Sequence, residues 1–301
     1  MQIQVKTRAP ARLAGQKWLE HRASAGVPPA AAVFSIMRTR PAILPSMSST
    51  LIFVCIAVAV LVTSFISGIL GMAGGMILMG VLLALLPLPA AMMLHGITQM
   101  AANGWRAWLW RVHVDWRVFR GYAFGALLAL AAFIVLQFVV SKPVAYILLG
   151  LTPFLSLVLP SRLALNVDLR GHPLLCGVVC TALQLLAGVS GPLLDAFFVR
   201  SAMDRRGVVA TKAVSQTLGH LIKIFYFGGI SALSSGVAGG LSLPLMAACV
   251  ALALTGTTLS RRVLEKMSDA HFRRWTQWTV MTTGTIYLAS GVWMLVGSGR
   301  A

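Results

Sequence analysis

Acidic side chains are nearly missing from this chain. Seven aspartates and glutamates stand against 25 lysines and arginines in 301 residues, and charged residues of both signs make up only 11%. Soluble domains carry about 25% charged residues, so an ordinary water-facing surface is excluded. Cysteine is scarce too: Cys55, Cys176, Cys180 and Cys249 all lie within apolar runs and imply no disulfide framework. Cys176 and Cys180, one helical turn apart, read as small packing residues rather than a metal or redox pair. No lysine and hydroxyl residue follow the glycines as in a phosphate-binding loop, and there is no His-Glu-x-x-His helix or cysteine zinc spacing. The chain therefore carries no motif for ATP, zinc or another cofactor.

What is there instead is apolar: 58% of the residues are hydrophobic. The formal charge of +18 could suggest nucleic acid, but the bases sit in short clusters between hydrophobic runs, where they set membrane topology. No interleaved basic and aromatic surface of the nucleic-acid-binding kind occurs. Trp105, Trp108, Trp110, Trp116, Trp275, Trp278 and Trp293 crowd the ends of these runs and read as interfacial anchors, ahead of an aromatic cage for substrate. Residues 1–46 form a basic leader with one acid, Glu20. It reads as a targeting segment or an over-extended start ahead of Met47, disordered and without transport chemistry.

Ten apolar elements can be drawn, at roughly 50–69, 75–88, 91–110, 118–140, 143–160, 172–189, 191–203, 207–228, 235–259 and 275–297. A spanning helix needs about 20 apolar residues, and the second and seventh elements fall short of that. Each of those two follows a glycine-containing break. The expected fold is all-α and polytopic, with a first transmembrane repeat at 47–160 and a second at 161–301. Basic clusters at Arg106–Arg120, Arg162–Arg170, Arg200–Arg206 and Arg261–Arg274 are expected on the cytoplasmic side. Counting crossings from them starts the first half outside and the second inside. That is an inverted repeat, whether the short elements span or re-enter.

Two polar stripes interrupt the third and eighth elements. His95, Gln99, Asn103 and Arg106 recur 117 positions later as Lys212, Gln216, His220 and Lys223. Steps of four, four and three keep each set on one helical face. Polar groups at membrane depth are costly unless they face a cavity or a partner, so the doubled stripe marks a site. The breaks obey the same offset: Gly71 matches Gly188, Gly74 matches Gly191, and Gly75 matches Pro192. Each reads as a broken helix whose freed N–H groups and positive dipole end point at an anion. Helix packing through small residues is the competing reading, and it is preferred for Gly68.

The run Gly-x-x-Gly-x-Ala-Gly-Gly ending at Gly75, the later Gly188-Val189-Ser190-Gly191-Pro192, and Val209-Ala210-Thr211-Lys212 leading to Gln216, His220 and Lys223 resemble the TauE/SafE family. These are sulfite, sulfonate and related anion exporters of bacterial inner membranes. The similarity spans about 51–297. It departs at Ala73, Gln184 and Ala187, where glycine is common, and at His95, where many members carry a small or hydroxyl residue. The resemblance implies a small sulfur-containing or carboxylate anion as substrate; periodicity alone implies an anion transporter.

The expected substrate site comprises Gly71, Gly74, Gly75, His95, Gln99, Asn103, Gly188, Ser190, Gly191, Pro192, Lys212, Gln216 and His220. The Gln99 and Gln216 amides can donate to an oxyanion without adding charge, and Lys212 supplies a compact cation, unless it snorkels to the interface. Asp195, the one acid inside an apolar element, should pair with Lys212, His220 or Lys223. Asp195 and Lys223 are assigned to coupling, with protons or sodium as the coupling ion. The expected mechanism is rocking of one half against the other. An anion channel and, further off, an intramembrane metal enzyme using His95, His220 and Asp195 compete with it. The lipid bilayer is the partner required; a homodimer is left open.

Overall fold

The computed structural model describes residues 49–70, 72–158, 165–235, 241–264 and 269–298, so the basic leader and Gly71 lie outside the described residues. The described chain is all helical, with ten α-helices: α1 Ser49–Leu70, α2 Ala73–Leu85, α3 Leu88–Leu109, α4 Trp116–Leu136, α5 Lys142–Val158, α6 His172–Ala187, α7 Gly191–Phe198, α8 Arg205–Ser235, α9 Leu243–Leu264 and α10 Asp269–Ser298. A single 3-10 turn at Arg111–His113 joins α3 to α4. Four of these helices, α1, α4, α9 and α10, are long and apolar enough to cross a bilayer by themselves. The chain is a multi-pass membrane protein.

The short elements are shorter than their hydrophobicity suggests. α2 has 13 residues, and α7 has only 8, ending at Phe198 rather than near 203. α8 is the opposite case. It runs from Arg205 through Ser235, past the polar stripe and past Gly228 and Gly229, because helical hydrogen bonds are indifferent to local apolarity.

The helices pair across the two halves. α3 packs on α8, α5 on α10, α1 on α9 and α4 on α6. Exchanging the first five helices for the last five returns the same four pairs. The lesser contacts α3–α9 and α5–α7 likewise return as α8–α4 and α10–α2. Close approach at these seams is made by small residues, as in α5 and α10, where a Cβ on Gly150 would lie 2.7 Å from the Gly284 carbonyl. The halves are thus interlocked, each surrendering its fourth helix to the other.

α3 and α8 run antiparallel. A Cβ on Gly96 would meet Ile224 at 2.8 Å, one on Gly104 would meet Thr217 at 3.7 Å, and the backbone N–H of Asp115 donates to Thr211 Oγ1 at 2.9 Å. Three basic clusters share one end of the molecule. Arg117 donates to the Asp168 carbonyl, Asp168 accepts from Ser201 and the Ala202 amide, and the Arg206 guanidinium lies 5.9 Å from the Trp110 ring.

Candidate functional site

The two glycine breaks meet at the centre of this bundle. Gly188 closes α6 in the left-handed region at φ +83°, its N–H bonded to the Gln184 carbonyl at 3.0 Å. That region is open to glycine and strained for other residues. A Cβ on Gly188 would reach 2.5 Å from Met79 Sδ in α2, and one on Gly191 would run into Met72 at the start of α2. Pro192 sits in the first turn of α7, where no intrahelical N–H is required of it. The first break is tighter: Met72 already has helical φ and ψ, and its carbonyl accepts from Met76.

Between the breaks and the α3–α8 pair lies a cavity of about 330 Å³. Of the residues expected at the substrate site, Gly75, His95, Gln99, Asn103, Ser190, Gly191, Pro192, Lys212, Gln216 and His220 line it, together with Asp195. Gly74 and Gly188 do not. Gly74 packs against Ser67 and Thr63 of α1, so it serves the α1–α2 hairpin, and Gly188 forms the turn behind the wall. Sequence reasoning overlooked Ser67, Gln184, Arg205 and Thr276, and left Arg106 to topology; all five border the space. Ser67 and Gln184 had a signal, since they too stand 117 apart.

Polarity is graded along the cavity. At the basic end Lys212 pairs with Asp195, and both are partly open, at 23% and 39% exposure. Arg106 and Arg205 border the same end, so cations outnumber the single carboxylate. Midway, the side-chain amides of Gln99, Asn103 and Gln216 have no hydrogen-bond partner among the described residues. The Gln99 amide nitrogen is held against Gly75, 3.1 Å from where a Cβ would stand. Gln99 and Asn103 are buried from the exterior, so these donors face only the cavity.

The far end is closed by two histidines and Lys223, all buried. Lys223 Nζ donates to His95 Nδ1 at 2.7 Å and to the Gly188 carbonyl at 2.8 Å. His95 Nε2 then carries the proton and donates to the Gly75 carbonyl at 2.9 Å. One chain of hydrogen bonds thereby ties the break of the first half to that of the second. Lys223 stands behind His95 rather than in the cavity wall. Beside it, Ser190 Oγ donates to Gln184 Oε1 at 2.8 Å, and Gln184 Nε2 donates to His220 Nδ1 at 2.7 Å.

Because α3 and α8 are antiparallel, sequence counterparts do not meet. His95 touches Lys223 instead of Lys212, and Arg106 shares the basic end with Lys212. The crossing is centred between Gln99 and Asn103 on one helix and Gln216 and His220 on the other. Asp195 takes Lys212, the nearest of the three partners open to it. Among the described residues no group of three or more His, Cys, Asp and Glu side chains converges to hold a metal ion. The tryptophans named above are outside the wall, and Trp105, Trp108, Trp110, Trp116, Trp275, Trp278 and Trp293 are exposed.

The family model described as sulfite exporter TauE/SafE matches residues 55–287. Neither a curated protein nor a solved structure matches the chain.

Proposed function

We propose that this chain, which belongs to the sulfite exporter TauE/SafE family, is a secondary transporter that exports sulfite, a sulfonate or a related small carboxylate by alternating access. Its place would be a bacterial inner membrane. One observation carries the reading: three amides without hydrogen-bond partners among the described residues and an excess of cations surround one small space bounded by both helix breaks. Groups left unsatisfied at membrane depth need a guest, and donors with net positive charge call for an anion. The volume lies at the low end of the range for small-molecule sites, about 300–1,000 Å³.

In this reading the anion enters from the basic end and competes with Asp195 for Lys212. The Gln99, Asn103 and Gln216 amides then replace its hydration shell, and the starts of α2 and α7 add their dipoles. A proton taken up by Asp195 frees Lys212 for the anion, so the two move together. The transport step turns α1, α2, α3 and α9 against α6, α7, α8 and α4, since these groups preserve the tight α1–α9 and α4–α6 seams. His95 acts through the breaks, because both of its ring nitrogens are engaged.

The test is sulfite counterflow in proteoliposomes beside a thermal-shift panel of sulfite, thiosulfate, taurine, isethionate, sulfoacetate and simple carboxylates. A carrier shows saturable counterflow, and a channel shows none. A ligand at about 100 times its Kd stabilises the fold by about 2.7 kcal/mol. Gln216→Ala should remove most of that shift while the unliganded protein unfolds near the wild-type temperature. An equal ligand shift in Gln216→Ala would rule out this cavity as the site.

A further inference from the structure

The hydrogen bonds at the closed end fix more than the shape of the wall. Gln184 Oε1 accepts from the Ser190 hydroxyl, and the other end of the amide, which is only a donor, faces His220 Nδ1. An imidazole nitrogen that accepts cannot carry a proton. His220 is therefore neutral, with its one proton on Nε2. That N–H has no partner among the described residues, on a side chain 4% exposed that borders the cavity.

We propose that Gln184 is a positioning residue that holds His220 in the uncharged tautomer presenting Nε2–H to the transported anion. The proposal rests on the reading of the cavity as an anion site. The logic is that of a tautomer set by what the other ring nitrogen touches. A carboxylate in place of Gln184 would accept at Nδ1 and hold a proton there. Nε2 would then offer a lone pair to the anion, except where the ring is doubly protonated. A neutral donor binds the guest without the tight release that another cation would impose.

The groups around His220 leave this assignment to Gln184. From α3, the His95 ring lies 5.6 Å away, with its nitrogens given to Lys223 and Gly75. On α8 itself Lys223 is turned to His95 and Gly188. From α4 the Tyr122 hydroxyl would stand 3.3 Å from a Cβ on Gly219, behind the ring. From α7, Asp195 is occupied by Lys212, beside Arg106 and Arg205 at the opposite end.

Tautomer and transport are read separately. In full-length protein labelled with nitrogen-15 histidine in lipid bilayers, the His220 signals are identified by their loss in H220Q. Wild type should show a neutral ring protonated on Nε2, and Q184E should show a proton on Nδ1. In proteoliposomes, sulfite counterflow of each variant is divided by that of wild type at the same pH, which cancels the titration of sulfite itself. The Q184E ratio should be highest near pH 6 and fall tenfold to a hundredfold by about pH 8, the range expected for losing a hydrogen bond to a charged guest. Q184E/H220Q lacks the imidazole and should give a flat ratio.

A wild-type His220 protonated on Nδ1 overturns the proposal. So does a flat Q184E ratio, or a pH step that persists in Q184E/H220Q. If Q184E does not fold, Q184L serves: Nδ1 then meets no donor, so an Nδ1–H form should appear in the spectrum and counterflow fall several-fold, and a purely Nε2–H spectrum would refute the idea. Loss of all counterflow in wild type would instead strike the transport reading, with the tautomer still decided by the spectrum.

Discussion

Replacing Gly188 with alanine isolates the energetics of the second break. Two effects add. An L-residue at φ +83° in the left-handed region costs about 1–2 kcal/mol. The new Cβ would also lie 2.5 Å from Met79 Sδ, 2.9 Å from its Cγ and 3.0 Å from its Cε. Met79 is fully buried, so the thioether has no open space to turn into, and overpacking of this kind costs about 1–3 kcal/mol. Gly188→Ala should therefore destabilise by about 2–5 kcal/mol. The steric part alone is relieved by Met79→Ala, which itself leaves a cavity costing about 2–5 kcal/mol. A four-protein cycle by equilibrium unfolding in mixed micelles separates the two. In the Met79→Ala background, Gly188→Ala should cost only the conformational part, giving a coupling of about 1–3 kcal/mol. Equal costs in both backgrounds would show that Gly188 does not press on Met79 of α2. A total below about 0.5 kcal/mol, the level of an ordinary surface change, would refute the left-handed turn itself.

Lys223→Met keeps the volume and removes the donor shared by His95 Nδ1 and the Gly188 carbonyl. Each orphaned buried group costs about 1–3 kcal/mol, so the melting temperature should fall, and His95→Phe added to it should restore part of the loss. A variant as stable as wild type would deny the bridge between the breaks. Asp195→Asn can hold neither the proton nor Lys212 as an ion pair. Acidifying the anion's side of the membrane should then cease to accelerate sulfite uptake in proteoliposomes, while affinity for the anion rises because Lys212 is no longer contested. Uptake still driven by a proton gradient would remove Asp195 from coupling.

Much of the architecture was legible in the chain, because each helix of a membrane protein must satisfy its own backbone and so writes its length as apolarity. That is why the ten elements stand close to where hydropathy puts them. The rule is weakest where protein rather than lipid surrounds a helix. α7 stops at Phe198 after 8 residues, short of the expected end near 203, since Val199 caps it and the chain turns at Arg200 to hydrogen-bond Asp168 through Ser201 and Ala202. α8 continues through uncharged loop-like sequence for the same reason in reverse. Exchange of the fourth helices between halves left no mark in the sequence at all. Apolar faces of α1, α4, α6 and α9 are alike in composition, so which pairs form depends on where small residues such as Gly125, Gly177 and Gly256 let backbones approach.

The site divides along a different line. Polar residues in apolar helices announce themselves, and all of those expected at the cavity are near it. Their partners are another matter, because a repeat offset identifies counterparts and an antiparallel crossing separates them. His95 and Lys212 correspond in sequence yet sit at opposite ends of the cavity, and each is matched with the other helix's opposite stripe end. Residues near the centre of the crossing, Gln99 and Asn103 with Gln216 and His220, share one stretch of the cavity, whereas the stripe ends are parted from their counterparts. Gln184 escaped notice because it belongs to neither stripe. Its significance lies in a hydrogen bond to His220 from a helix 36 residues away, set by the turn at Gly188 that folds Ser190 back onto the same amide. Offset arithmetic could have flagged it beside Ser67, but only the folded geometry brings its amide nitrogen to the ring of the histidine.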